Sequence, residues 1–231
     1  MKRKKITAFL TDTRGFTLIE MAIVLIIIGI IIGAVVKGKD LIRGAEQKKI
    51  YTKYINSWRI VYLTFYDRTG KILGDTWDTS LATPAAGQDG SADTAAGTSA
   101  TTPTAAGQAD LYDGPASGTA YMGLKQAGLS APATNATTNY EYKYIDSEGA
   151  AHVMEISFKY DSTSKYNYMF IAEIPNELGI ALDTMIDGEA DGAADDFLCF
   201  NVADAANSAW GAVAGLTDPT DEVSARWKME F

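Results

Sequence analysis

Cysteine is nearly absent: Cys199 stands alone among 231 residues, so no internal disulfide can form and packing must hold any fold together. It sits in an apolar stretch, where a buried structural thiol is expected. Histidine is equally scarce. His152, the one example, lies in a strand-like segment and leaves a His-based triad or a zinc centre without enough members. A phosphate-cradling glycine loop is also missing, and no enzyme is expected. Proline does not occur between Phe16 and Tyr66, so nothing there interrupts a helix. Basic residues thin out after the first third. Residues 1–66 hold 12 Lys and Arg against 4 Asp and Glu, whereas the rest holds 8 against 25, a balance of −17. That acidity excludes nucleic-acid binding through the bulk of the later region and favours solubility or cation capture.

What is present begins with an apolar run, "MAIVLIIIGIIIGAVV", from Met21 to Val36. Ahead of it "MKRKK" is a charged n-region, yet Thr11, Asp12, Thr13 and Arg14 interrupt the stretch from Ile6 to Gly15, which is no secretory core with a small-residue cleavage site. From Phe16 to Val36 there are 21 residues, enough to cross a hydrocarbon layer of roughly 30 Å. The basic cluster before the span places the N-terminus inside and the region after it outside. Glu20 sits at the mouth of this span. A carboxylate there is costly and calls for a partner.

The stretch Arg14-Gly15-Phe16-Thr17-Leu18-Ile19-Glu20, "RGFTLIE", with its apolar continuation resembles the prepilin signal of type IV pilins and type II secretion pseudopilins. The resemblance implies cleavage by prepilin peptidase between Gly15 and Phe16 and N-methylation of Phe16. It further implies that Glu20 meets the terminal amine of a neighbouring subunit. A carboxylate in an apolar filament core is tolerable when paired, so Glu20 would act as a registry device for assembly. Two later segments resemble the family more loosely: "YINSWRIVYLTFYDRTGKILGDT", where the long helix ends in a Gly-Asp turn, and "YMGLKQAGL", a short helix ending in Ala-Gly-Leu.

From the residues, a helix is expected from Phe16 to Tyr66, about 77 Å at 1.5 Å per residue. Its first half is apolar all round and requires lipid or other helices. Gly29 and Gly33 form a G-x-x-x-G followed by Gly38, read either as close packing or as ordinary membrane-span glycine. In the second half Tyr51, Ile55, Trp58, Tyr62 and Phe65 recur at helical spacing and form one apolar face. Packing against a sheet is the expected use of that stripe, with an aromatic electron path as the sharper alternative.

Residues 80–120 are rich in Ala, Thr, Gly and Ser and carry a near-repeat, "TPAAGQ" and "TPTAAGQ". They read as a long exposed loop, its Thr and Ser candidates for O-glycosylation. "NAT" at Asn135 matches an N-glycosylation sequon. Beyond it, "NYEYKYID" and "AHVMEISFKY" flank the hairpin signal Ser147-Glu148-Gly149-Ala150. In the second, Met154, Ile156, Phe158 and Tyr160 alternate with Val153, Glu155, Ser157 and Lys159, as a half-buried strand requires. "YNYMFIAEI" is a third strand. Pro175 opens a helix with Leu178, Leu182 and Met185 on one face, and "DFLCFNVA" and "VSARWKMEF" close the sheet.

The cluster "DGEADGAADD" spaces Asp187, Glu189, Asp191 and Asp195 as a calcium loop spaces its ligands, with Gly192 at the turn. Position twelve is Leu198 rather than Glu, and the alternative is a solvated acidic loop.

The fold class expected is α+β: a long N-terminal helix, membrane-spanning in its first half, with an antiparallel sheet head on its second half. The divisions are a leader (1–15), a transmembrane and assembly half-helix (16–36) and an amphipathic half (37–66). A loop region (67–138) and the sheet head with its acidic loop (139–231) complete the chain. The resemblance implies a structural subunit that polymerises as a homo-oligomeric helical filament after leader removal. Its partners would be prepilin peptidase, the pilus or secretion assembly machinery and, before assembly, the inner membrane. An extracellular pilus subunit, a periplasmic secretion pseudopilin and a non-polymerising single-pass binding protein are the three readings.

Overall fold

The computed structural model describes residues 16–75, 111–112, 123–161, 164–201, 206–210 and 221–229. The leader with Gly15 and, apart from Leu111 and Tyr112, the low-complexity stretch lie outside the described residues. The chain divides into two compact units, Met1–Glu46 and Gln47–Phe231.

In the first unit, helix α1 begins at Leu18; its full range is Leu18–Ile50. Thr17 starts it by capping: its carbonyl accepts the amides of Glu20 and Met21, and its Oγ1 accepts the Glu20 amide at 3.3 Å. This is the forward half of a capping box, with Thr at the cap and Glu three residues on. The carboxylate therefore lies in the first turn, where the helix dipole favours negative charge. Every apolar side chain from Phe16 to Val36 is exposed, as a helix apolar on all sides must be when lipid and neighbours are stripped away. A Cβ built on Gly29, Gly33, Gly38 or Gly44 meets nothing within 4 Å.

In the second unit the helical backbone passes through one π turn, Tyr51–Ile55, into α2, Asn56–Thr69. Ile50, Tyr54, Trp58, Tyr62 and Phe65 are all buried. Their steps of four, four, four and three average wider than the 3.6 residues of an α-helix, and the wider π turn absorbs the difference. The helix runs three residues past the expected Tyr66 and stops at Gly70, whose φ of 66° provides the left-handed cap. Its amide closes on the Tyr66 carbonyl at 2.8 Å. Gly70 thus ends the helix ahead of the Gly74-Asp75 turn. The "GLKQAGL" segment, expected as a short helix, makes only turns over Leu124–Gly128, ended by Gly128 at φ 67°.

The sheet comprises β1 (Glu141–Ile145), β2 (Ala151–Asp161), β3 (Tyr166–Pro175), β4 (Phe197–Asn201), β5 (Ala206–Asn207) and β6 (Glu222–Met229). Its order is β1-β2-β3-β6-β4-β5 and all pairings are antiparallel. The stripe on α2 packs on one face of it, as expected: Tyr62 stacks on Phe158 at 4.8 Å, and Trp58 meets the same ring edge-on at 6.2 Å. Helix α3 (Asn176–Ile186) comes directly after β3, with Leu178 and Leu182 in the core and Met185 half-buried.

One reading of the strands needs correction. A half-buried strand leaves one face open, yet Ser157 and Lys159, which alternate with the core residues of β2, are buried too. The opposite face of the sheet carries its own cluster of Tyr168, Phe170, Ala172 and Phe200. Lys159 Nζ sits 3.8 Å from the Phe170 ring centre, and Arg226 lies 3.4 Å from that of Phe200. Burial, with the Arg226 charge adding to it, depresses the Lys159 pKa to about 8.

Asn135 of the sequon is engaged in hydrogen bonds. Its Oδ1 accepts the Lys143 amide at 2.7 Å and its Nδ2 donates to the Lys143 carbonyl at 2.8 Å. Thr134 Oγ1 donates to the carbonyl of Glu141. Residues 141 and 143 point their backbone groups away from β2, so these side chains stand in for a further strand along the free side of β1.

Candidate functional site

The first candidate site is the helix start. Phe16 and Glu20 are both exposed, two residues before and two residues after the first residue of α1. Thr17 satisfies the Glu20 amide, while no described side chain pairs with the Glu20 carboxylate. The arrangement therefore offers an acidic group on an apolar rod with its own backbone already capped. Lipid headgroups or a second chain must supply any counter-charge. The rod is long and apolar enough to cross a membrane.

The second is the acidic loop after α3. Asp187, Glu189, Asp191 and Asp195 occupy one turn-rich segment, yet among the described residues no group of three or more His, Cys, Asp or Glu is placed to hold a metal ion. Two of the four face the loop's own backbone. Asp187 Oδ2 accepts the Phe197 amide at 2.7 Å, and Asp191 Oδ1 accepts those of Ala193 and Ala194, both at 3.1 Å. Asp195 adopts φ 65° and its carbonyl receives Lys228 Nζ.

Sequence reasoning missed the residue that organises this loop, Asp183. It is fully buried on α3, and its Oδ2 accepts Trp210 Nε1 at 2.6 Å and the Gly192 amide at 3.0 Å. Burial raises its pKa, and the Trp210 and Gly192 hydrogen bonds offset only part of that rise. Two glycines make room for the Trp210 ring. A Cβ on Gly179 would lie 2.2 Å from Cζ3 of Trp210, and one on Gly192 would lie 2.9 Å from the Ser208 carbonyl and from the indole. Gly192 also holds φ 69°, the sharp turn its sequence position suggested. The one signal available beforehand was Asp183 itself, a carboxylate one residue from Leu182 on the apolar side of α3.

The third grouping surrounds His152. Its Nε2 lies 2.8 Å from Asp146 Oδ2 and its Nδ1 2.8 Å from Glu222 Oε1. Burial alone would lower the imidazole pKa, but the bonds to Asp146 and Glu222 outweigh it and raise it. The same contact with His152, helped by backbone amides of the hairpin turn, holds Asp146 below its ordinary value. A carboxylate at each nitrogen favours the protonated ring, which joins the β1–β2 turn to β6. Cys199 is buried, and burial pushes its thiol up to about 12, which suits an inert core residue.

Comparison with known proteins bears on the first of these. Residues 11–36 match the family model described as the prokaryotic N-terminal methylation motif. That is the prepilin signal of type IV pilins and pseudopilins, a structural rather than enzymatic motif, so the chain carries the mark of a prepilin peptidase substrate. The α+β layout, a long apolar N-terminal helix with an antiparallel sheet, is consistent with the pilin fold. The motif implies assembly into pilus or secretion machinery, and with the apolar helix it fits an inner-membrane-anchored precursor. No curated protein and no solved structure gave a match.

Proposed function

We propose that this chain is a structural subunit of a type IV pilus-like extracellular filament, cut between Gly15 and Phe16, methylated at Phe16 and polymerised through its N-terminal helix. The observation that carries the proposal is the match over residues 11–36 joined to a helix whose whole apolar circumference is exposed. Such a surface needs lipid before assembly and neighbouring copies of the helix afterwards. In this reading Glu20 pairs with the methylated amine of the next subunit and sets the register, since a slipped neighbour would leave a carboxylate unpaired in apolar surroundings. The long Ala- and Thr-rich stretch at 80–120 supports surface display.

The second reading, a secretion pseudopilin working in the periplasm, is favoured by a head whose one cysteine leaves it without a disulfide. The test has two parts. Mass spectrometry of the protein from its host should find a mature chain starting at methylated Phe16; another terminus would remove the processing claim. Glu20→Ala should leave the head's melting unchanged while surface filaments, counted by electron microscopy with an antibody to the head, fall to background. Normal filament numbers from that variant would end the registry role. Filaments confined to the periplasm would favour the pseudopilin.

A further inference from the structure

A cavity of about 550 Å³ opens at the end of the sheet where β3 begins, β6 finishes and β4 begins. It lies within the second unit, and the three groupings above make no use of Arg59, Tyr166 or Asn207. Arg59 of α2 contributes to its wall. The guanidinium lies 5.1 Å from the Trp227 ring centre and meets no acceptor among the described residues; its Nε is shut off from solvent, which leaves the two Nη nitrogens as the edge a ligand can reach. A planar cation held on an aromatic ring with its hydrogen-bonding edge unused is a ready receptor for a carboxylate, which it can grip through two parallel bonds.

The rest of the wall narrows the ligand. Lys228 is already spent: its ammonium donates to the Asp195 carbonyl and pairs with Asp196 at 3.8 Å. Asp195 and Asp196 both line the cavity, so a polyphosphate or other dense polyanion would be repelled. A bare cation would in turn face Arg59 and Lys228. Carboxylates, side-chain amides and hydroxyls are instead the usual acceptors and donors for sugar-type hydroxyl groups, and Asn207 and Ser164 add an amide and a hydroxyl. The Tyr166 ring supplies an apolar face for C–H groups. The volume lies within the range of small-molecule sites.

We infer that this cavity binds a carboxylate-bearing sugar, the carboxylate on Arg59 and the hydroxyls facing Asp195, Asp196, Asn207 and Ser164. A uronic acid has this chemistry. The inference is independent of whether the filament is a pilus or a pseudopilus.

The test uses the full chain in detergent micelles, titrated with D-glucuronate and followed by calorimetry and by tryptophan fluorescence, because Trp227 supports Arg59. Glucose, which keeps the hydroxyls without the charge, and acetate, which keeps the charge without the hydroxyls, are the controls. Saturable glucuronate binding is expected, with both controls at least tenfold weaker. Arg59→Lys keeps the charge but loses the fork, and should weaken glucuronate binding about tenfold. Ser164 is an exposed turn residue, so Ser164→Trp should obstruct the cavity without changing the melting temperature; it decides the matter if Arg59→Lys disturbs the fold. Absence of saturable glucuronate binding, equal binding of acetate or glucose, or full binding in the Ser164→Trp variant would each overturn the proposal.

Discussion

The two units of this chain solve the problem of apolar surface in opposite ways. Residues 16–46 bury nothing of their own: isoleucine after isoleucine is exposed, and four glycines have open space where a side chain would go. The head, from Gln47 onward, packs aromatic rings from helix and sheet into a core and uses two of its glycines, Gly179 and Gly192, to admit the Trp210 ring. A substitution in the first unit should therefore be silent until other molecules are present. One in the head should be felt in the isolated chain. The difference teaches where each unit's side chains find their contacts, on other molecules in one case and within the chain in the other.

The sharpest way to break that contrast is to remove its central core residue. Trp58→Ala should destabilise the head by about 3–5 kcal/mol, the range for deleting a buried large aromatic. Chemical denaturation followed by circular dichroism of the head's transition checks it, and a cost under 1 kcal/mol would mean that the stripe is not core. The glycines come next. Gly179→Ala and Gly192→Ala should each cost about 1–3 kcal/mol through overpacking against Trp210. For Gly192 the left-handed backbone adds to that. Gly29→Ala and Gly33→Ala should leave the head's melting untouched and alter filament assembly alone; a loss of head stability in either would dissolve the distinction between the units.

A smaller effect comes from His152. Its pKa is raised on folding, so its contribution is full below the unfolded value of about 6.5 and is lost as pH rises through the higher folded value. Asp146 is shifted the other way, and its contribution is present above about 3.8 and lost as pH falls through the lower folded value. The head should thus melt highest in mildly acidic buffer, and His152→Gln should flatten the decline on the alkaline side. An unchanged pH profile in that variant would show that the two carboxylates do not act through the ring.

The smallest effect concerns calcium. Because Asp187 and Asp191 already accept loop amides, millimolar calcium should raise the melting temperature no more than monovalent salt of equal ionic strength. A calcium-specific rise, lost in the Asp187→Asn, Asp191→Asn double variant, would instead establish the cation loop. At a hundredfold excess over its Kd such binding would be worth about 2.7 kcal/mol.

The helix, its buried stripe and the hairpin are legible in the sequence because each has a period or a turn that local chemistry imposes. Tyr62 and Phe65 must face the same way on any helix, and Gly149 at φ 94° suits the β1–β2 turn. The processing signal is legible as a pattern of residue types before any geometry. Lys159 is not: its burial depends on β3, β4 and β6 bringing Phe170, Phe200 and Arg226 to the same face, which alternation within β2 cannot reveal. The acidic loop is ambiguous for a related reason. Carboxylates at every second position suit a cation, but they equally suit a loop that must cap its own amides around Trp210, a residue distant in sequence. The helix end at Gly70 is masked by Gly74 and Asp75, the pair to which the family resemblance points.

The side chains of Thr134 and Asn135 along β1 have a consequence beyond the single head. Molecules confined to a membrane surface, or strung along a filament, meet one another at local concentrations far above those in free solution, and effective concentrations in tethered systems reach the millimolar range. At such crowding an open strand edge is a standing invitation to pair with the copy next door, and the resulting ladder would compete with ordered assembly. Here the outward rungs at Glu141 and Lys143 are occupied from within the same chain. An amide and a hydroxyl thus act as a quarantine on this edge, which suits the filament proposed above, built through the apolar helix.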